Sequence, residues 1–242
     1  MKIVKIPYNI ETDFDTISKH LLSKGWMYRG CGSDNEPYST KWCESLDEGF
    51  IDKGAFPQNK DGQSTIVYID IDGFNRLLDQ DEKKALDLMY YKHRVFQPFI
   101  EKYQGLLIKR IGEGTLCVFA DAVKAVCFCL EIQQNWKNIS PLKLKIGVHT
   151  DRLVVEHGDI MGKGIQITSN IKNVSELGGI CISESVSAQI ADRPDIHTES
   201  MGRQTIEGLE EDHELYSIFI PEQFISMEDA ANTGTPVQDI NA

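Results

Sequence analysis

TIVYIDIDGFNRLL, residues 65–78, is the most informative stretch of the chain. Its first five residues are β-branched or aromatic and the sixth is Asp70, which predicts a buried strand that ends at this carboxylate. Gly73 then predicts a turn. Because a carboxylate at the end of an apolar strand is costly to bury without a partner, Asp70 is a candidate for binding or catalysis.

The residues that follow alternate strand patterns with amphipathic helical patterns, which predicts an α/β (α+β) domain. Helical spacing of apolar residues predicts helices over residues 81–103, 121–136, 163–176 and 184–191. Strand patterns predict strands near residues 105–111, 115–119, 142–149, 152–156, 180–182 and 214–219. We expect a main domain at 63–220, an N-terminal extension or small accessory domain at 1–62 with a helix over 13–23, and a disordered tail at 221–242.

The composition is that of a soluble globular protein, with 41% hydrophobic and 26% charged residues. No stretch approaches the roughly 18 apolar residues of a membrane span, and the N-terminus lacks a secretory pattern, so we expect a cytoplasmic protein without a membrane partner. The formal net charge of −12 argues against a nucleic-acid partner, because phosphate backbones require basic surface. The six cysteines form no C-x-x-C pair, which favours buried reduced thiols.

Six fragments occur in a fixed order across residues 63–219. They are TIVYIDIDGFNRLL (65–78), LLIKRIGEGTLCVF (106–119), LKLKIGVHT (142–150), GDIMGKGIQITSNI (158–171), GGICIS (178–183) and TIEGLEEDHELYSIF (205–219). Together they resemble the catalytic domain of the class III nucleotidyl cyclases, which make cyclic AMP or cyclic GMP from nucleoside triphosphates. The resemblance implies a ferredoxin-like palm and a site formed between two protomers.

The resemblance also implies two divalent metal ions, Mg²⁺ or Mn²⁺, held by two carboxylates. Asp70 matches the first metal ligand, together with the backbone of Ile71. Glu113 stands where the family usually has Asp, so the charge is kept on a longer side chain. Asp72 is a further candidate ligand, and a turn-capping role before Gly73 is the alternative.

The resemblance assigns the substrate contacts to residues elsewhere in the chain. Lys109 and Asp159 match the two positions that select the base, and a donor and an acceptor there suit adenine N1 and its 6-amino group. This pair favours ATP as the substrate, and a surface ion pair between the two residues is the alternative. Phe74, in the turn after the first strand, is a third substrate-binding candidate.

Gln166 and Asn170 stand at the positions of the family's transition-state Asn and Arg. Losing one preorganised donor of this kind typically costs ~10²–10³ in rate, so we expect weak cyclisation at best. Lys163 is a candidate to replace the missing Arg. Lys172, two residues beyond Asn170 on a helix, should face elsewhere.

Three hypotheses follow from this mixture of kept and altered positions. The chain is a divergent homodimeric ATP cyclase, one half of a heterodimer whose partner supplies the Arg, or a degenerate domain that binds nucleotide or a protein partner without turnover. We expect the homodimer. A palm like that of the diguanylate cyclases is a fourth reading of DIDGF and GEG, which the later fragments argue against.

Overall fold

The computed structural model describes residues 56–111, 114–156, 159–206 and 212–220, together with the backbones of three strands near the N-terminus. Those strands are β1 (Ile3–Pro7), β2 (Trp26–Cys31) and β3 (Ser39–Glu44). They form an antiparallel sheet in the order β1-β3-β2. The helix expected over residues 13–23 and the tail expected at 221–242 lie outside the described residues.

The main domain contains a seven-stranded sheet with helices on both faces. Its strands are β4 (Ser64–Ile71), β5 (Leu106–Ile111), β6 (Gly114–Phe119), β7 (Leu144–Asp151), β10 (Ile180–Ser183), β11 (Thr198–Thr205) and β12 (Asp212–Ile218). A separate hairpin consists of β8 (Val154–Glu156) and β9 (Asp159–Met161). The helices are α1 (Phe74–Gln80), α2 (Glu82–Lys102), α3 (Ala122–Lys137), α4 (Lys163–Val174) and α5 (Glu184–Gln189). The expected α/β class is confirmed.

The strand order is β11-β12-β10-β7-β4-β6-β5, which places β4 between β7 and β6. Strands β7 and β10 are parallel, and the other neighbours are antiparallel. Pairing on both edges satisfies the backbone of β4, and its apolar side chains can then be buried on both faces. Helix α1 and strands β9 and β11, like the N-terminal strands β1, β2 and β3, are additions to the elements that the sequence predicts.

The two faces of β4 have different partners. Val67, Ile69 and Ile71 point into the main core, which α2 and α3 close with aromatic side chains such as Phe128. On the other face, Ile66 and Tyr68 belong to a smaller apolar cluster, and helix α4 packs across β7 and β4. The residue that follows Tyr68 on this face is Asp70.

The folded unit begins before the boundary expected at residue 63. Phe56 is buried in the same cluster as Ile66 and Leu116. The Ser64 hydroxyl donates a hydrogen bond of 2.6 Å to the Pro57 carbonyl, which ties the incoming chain to the start of β4. Residues from 56 onward are therefore part of the domain.

Four of the cysteines, Cys117, Cys127, Cys129 and Cys181, are buried, as expected for reduced core thiols. Burial raises the pKa of Cys129 well above its ordinary value and the pKa of Cys181 to about 12. Among the described residues, no helix is both long and apolar enough to cross a membrane.

Candidate functional site

Asp70 lies near the end of β4, on the face of the sheet that α4 covers. Its side chain is 22% exposed. The Ile71 N–H donates to Asp70 Oδ1 at 3.0 Å, and the Lys172 ammonium donates to Asp70 Oδ2 at 2.7 Å. Asp70 therefore has the partners that a carboxylate at this depth requires.

Lys172 reaches Asp70 because α4 approaches the sheet very closely. Gly147 of β7 pairs with Tyr68. A Cβ added to Gly147 would lie 2.4 Å from the Thr168 carbonyl oxygen and 2.5 Å from the backbone nitrogen of Lys172. The ammonium lies 5.6 Å from the centroid of the Tyr68 ring, a cation–π distance, and the side chain is only 12% exposed. The sequence predicted that Lys172 faces away from Asn170 but indicated no partner for it.

The hairpin β5-β6 meets the end of β4 beside Asp70. Thr115 pairs with Ile69, and the strand β6 begins at Gly114, directly after Glu113. The Asp72 N–H donates to the Lys143 carbonyl across β7. Since backbone groups alternate sides along an antiparallel strand, those of Ile71 are directed toward β6.

Two oxygen ligands of the kind that Mg²⁺ or Mn²⁺ prefers lie at the end of β4, namely the Asp70 carboxylate and the Ile71 backbone oxygen. Glu113, the second expected ligand, lies outside the described residues. Asp72 is exposed and lines a cavity of about 390 Å³ with Arg76 and Lys143, and Asp70 is not part of that lining. Within the described chain, no three His, Cys, Asp or Glu side chains gather as a metal-binding group.

The two expected base-selecting positions border one apolar cluster. Leu107 pairs with Cys117 but Lys109 pairs with Leu116, so the register shifts by one residue between them. Because of this bulge, Lys109 lies opposite Leu116, and its position in the strand belongs to the face of the sheet that carries Leu116 and Asp70. Asp159 opens β9, and its neighbour Ile160 is buried in the cluster with Leu116. The side chains of Lys109 and Asp159 are outside the described part of the structure.

The two expected transition-state positions share one stripe of α4. Gln166 is exposed and Asn170 is partly buried, four residues later on the same side of the helix. Lys163, exposed at the first position of α4, belongs to the same stripe. At 100° per residue this stripe centres on Asn170, about 160° around the helix from Lys172. Gln166 and Asn170 therefore face away from the Asp70 of their own chain.

Phe74 and His149 have structural surroundings. The Phe74 side chain is 6% exposed in the main core, so only its backbone is available to a substrate. His149 Nδ1 lies 2.8 Å from the Ser183 hydroxyl oxygen. Burial lowers the pKa of His149 to about 4, and nearby Asp151 opposes this shift. The contact with Ser183 and the burial of the ring account for His149 as a structural residue of β7.

The chain is similar to known proteins. "Putative adenylate cyclase 3" of Rhizobium meliloti (strain 1021) is 28% identical over 155 residues, which are 61% of this chain and 26% of that protein. The chain thus spans about a quarter of that relative.

Solved structures show the same fold. The adenylyl cyclase CyaB from P. aeruginosa matches with a TM-score of 0.59 at 22% identity, covering 68% of this chain and 97% of that chain. A non-canonical dimeric guanylyl cyclase domain from the aquatic fungus Blastocladiella emersonii matches with a TM-score of 0.59 at 17% identity, covering 65% of this chain and 96% of that chain.

A family model described as the adenylate and guanylate cyclase catalytic domain matches residues 56–220, from the buried Phe56 to the end of the sheet. That range contains Asp70, the β5-β6 hairpin and the whole of α4. The chain therefore belongs to the family of adenylate and guanylate cyclase catalytic domains.

Proposed function

We propose that the chain converts ATP into 3′,5′-cyclic AMP and pyrophosphate at a dimer interface, with two divalent metal ions as cofactors. The observation that carries the proposal is the position of Asp70, whose carboxylate ends the central strand β4 beside the β5-β6 hairpin. The match over residues 56–220 supports the reaction class.

In the proposed reaction, the ribose 3′-oxygen bonds to the α-phosphorus, the bond from that phosphorus to the β-phosphate oxygen breaks, and pyrophosphate and a proton leave. Divalent ions at the site would supply the positive charge that makes the 3′-hydroxyl acidic and neutralises the triphosphate. Asp70, the Ile71 carbonyl and Glu113 would hold them, and Asp72 is the less favoured ligand because it lines a different cavity.

We assign adenine recognition to Lys109 and Asp159, with Lys109 donating to N1 and Asp159 accepting from the 6-amino group. The bulge after Leu107 supports the assignment of Lys109, since it places that residue opposite Leu116, on the face of the sheet that carries Asp70. The assignment of Asp159 rests on its match to the family position. The backbone of Phe74 is the part of that residue that could contact the triphosphate.

The geometry of α4 supports a site shared between two chains. Because Gln166 and Asn170 face away from the Asp70 of their own chain, a second protomer has to bring them to the substrate. The hairpin β8-β9 offers an apolar contact, since its cross-strand pair Val154 and Met161 is about half exposed. We expect a homodimer, and a heterodimer whose partner supplies an Arg is the alternative.

Turnover by this chain alone should be weak. Asn170 carries no charge to stabilise the α-phosphate in the transition state, and Gln166 places its amide on a longer side chain than Asn. Lys163 is the cation on the same stripe of α4, although an ammonium lacks the planar fork of a guanidinium.

The test is a Mn²⁺-dependent assay of the full chain with ATP, GTP, CTP and UTP, with cyclic products resolved by mass spectrometry. We expect slow formation of cyclic AMP, its loss in Asp70→Asn, and a rise of about tenfold or more in the double variant Gln166→Asn, Asn170→Arg. Cyclic GMP as the main product would overturn the adenine assignment. Activity that is unchanged in Asp70→Asn would overturn the metal site.

A second candidate function is a domain that binds nucleotide without cyclising it. The observation that favours it is the ion pair between Lys172 and Asp70, which occupies one oxygen of the expected metal ligand. In that case ATP would bind, measured by calorimetry, while neither the wild type nor the double variant would form a cyclic product.

A further inference from the structure

We infer that Lys172 competes with a divalent cation for Asp70, so that the metal binds only when the ion pair between the two residues opens. This inference rests on the proposed function, because it takes Asp70 as a metal ligand. It adds a residue that controls metal occupancy and that the resemblance to the cyclases did not assign.

Lys172 and Asp70 are in direct contact. Lys172 Nζ and Asp70 Oδ2 are 2.7 Å apart, which is the distance of a charge-assisted hydrogen bond. The other oxygen, Oδ1, already accepts from the Ile71 N–H at 3.0 Å. A metal ion at Oδ2 would lie next to the ammonium, and two cations at one oxygen repel each other.

The ion pair between Lys172 and Asp70 is largely buried. The Lys172 side chain is 12% exposed and that of Asp70 is 22% exposed, so solvent screens this pair less than a surface ion pair. The Tyr68 ring also faces the ammonium. Displacing Lys172 therefore costs more than displacing water from an exposed carboxylate.

The backbone of Lys172 is held in place by close packing. Helix α4 is fixed against β7 at Gly147, where there is no room for a Cβ, and Ile171 beside Lys172 is fully buried. The Thr168 hydroxyl donates to the Gly164 carbonyl within the same helix. Opening the ion pair thus requires rotation of the flexible lysine stem and not movement of the helix.

A second lysine near Asp70 provides a matched control. Lys145 pairs with Asp70 across β4 and β7, yet its ammonium donates to the Asn173 carbonyl at 2.9 Å. Replacing Lys145 removes the same charge from the same neighbourhood without touching the carboxylate. Any effect of long-range charge alone should appear in both variants.

The experiment measures Mn²⁺ binding to the full chain from the electron paramagnetic resonance signal of free Mn²⁺, without nucleotide. We expect Lys172→Met to bind Mn²⁺ at least about tenfold more tightly than the wild type, which corresponds to 1.4 kcal/mol. Lys145→Met should change the affinity for Mn²⁺ by less than about threefold, because the Lys145 ammonium does not contact Asp70 and solvent partly screens its charge. Lys172→Arg keeps the charge and should remain close to the wild type.

Asp70→Asn is combined with each background to identify the site. Binding that Asp70→Asn abolishes, with equal affinity in the wild type and Lys172→Met, would overturn the competition and leave the proposed cyclase site intact. Binding that ignores Asp70 in every background, or no binding in any variant, would overturn the metal site and with it the proposed function. An equal gain in Mn²⁺ affinity in Lys145→Met would mean that any nearby positive charge weakens metal binding, and it would also overturn the competition.

Circular dichroism and thermal melting establish that each variant is folded. If Lys172→Met is unfolded, Lys172→Gln keeps a polar side chain that can still donate to Asp70 without carrying a charge. The same gain of about tenfold is expected from it, because the competition depends on the ammonium charge. An affinity equal to that of the wild type in folded Lys172→Gln would count against the inference.

Discussion

The two faces of β4 differ in what they contribute. Toward α2 and α3, Val67, Ile69 and Ile71 are each at most 2% exposed and lie in a continuous apolar core. Toward α4, the same strand begins with buried Ile66 and ends with Asp70 in an ion pair. The contrast teaches that one face supplies the stability that lets the other hold charged groups at the end of the strand.

The sharpest test of this contrast substitutes neighbouring residues that point to opposite faces. Ile69→Ala should lower the free energy of unfolding by about 4 kcal/mol, because it opens a cavity in the sealed core. Asp70→Asn should cost only about 1–2 kcal/mol, since the ion pair it removes is partly exposed. Denaturant unfolding measures both changes.

Nucleotide binding should rank the same two variants in the reverse order, with the larger effect in Asp70→Asn. Folded Ile69→Ala should retain metal-dependent nucleotide affinity, whereas Asp70→Asn should lose it, as calorimetry with Mn²⁺ and ATP would show. Equal loss of binding in both variants would mean that the faces do not have separate roles.

The next largest effect is expected where α4 meets the sheet. Gly147→Ala should cost about 3 kcal/mol, because the new methyl group would overlap backbone atoms of Thr168 and Lys172. Gly202→Ala is the control, since nothing lies within 4 Å of a Cβ there and only its positive φ of 74° is strained, at about 1 kcal/mol. Equal melting temperatures for the two variants would show that α4 can shift away from β7 at little cost.

The smallest effect concerns pH and the strand β7. The pKa of His149 is about 4 in the folded chain, against 6.5 for an unperturbed histidine. Between these values the unfolded chain binds a proton that the folded chain does not, so stability is present above pH 6.5 and is lost as the pH falls toward 4. The loss should reach about 2 kcal/mol by pH 5.

His149→Gln isolates this contribution from the carboxylates that titrate in the same range. The difference in unfolding free energy between the wild type and the variant should shrink or change in favour of the variant from pH 7 to pH 4. A difference that stays constant over this range would show that His149 is not the group responsible.

The sequence predicted most elements whose side chains are buried with a clear period. Strand β4, the hairpin β5-β6 and helix α4 were all expected within a few residues of their observed ends. The strand β11 was not expected, because Thr198–Thr205 is mostly exposed and polar. It is a strand through its backbone pairing with β12, which leaves no hydrophobic alternation to read.

The candidate site was predicted in the same uneven way. The position of Asp70 at the end of an apolar strand follows from local pattern alone. The domain boundary at Phe56 and the core position of Phe74 did not, since both depend on which residues meet across the sheet. Glu113 stays a prediction as a metal ligand, and Lys109 and Asp159 stay predictions as base-selecting residues.

By itself, the sequence determined the order of most strands and helices of the main domain, the carboxylate at the end of β4 and the altered positions Gln166 and Asn170. These are local properties of side-chain period and residue identity. Only the tertiary structure decided that Lys172, 102 residues away, donates to Asp70, because this contact depends on how closely α4 packs at Gly147. Periodicity tells which face of a helix is buried, but it does not name the charged group that the buried face meets.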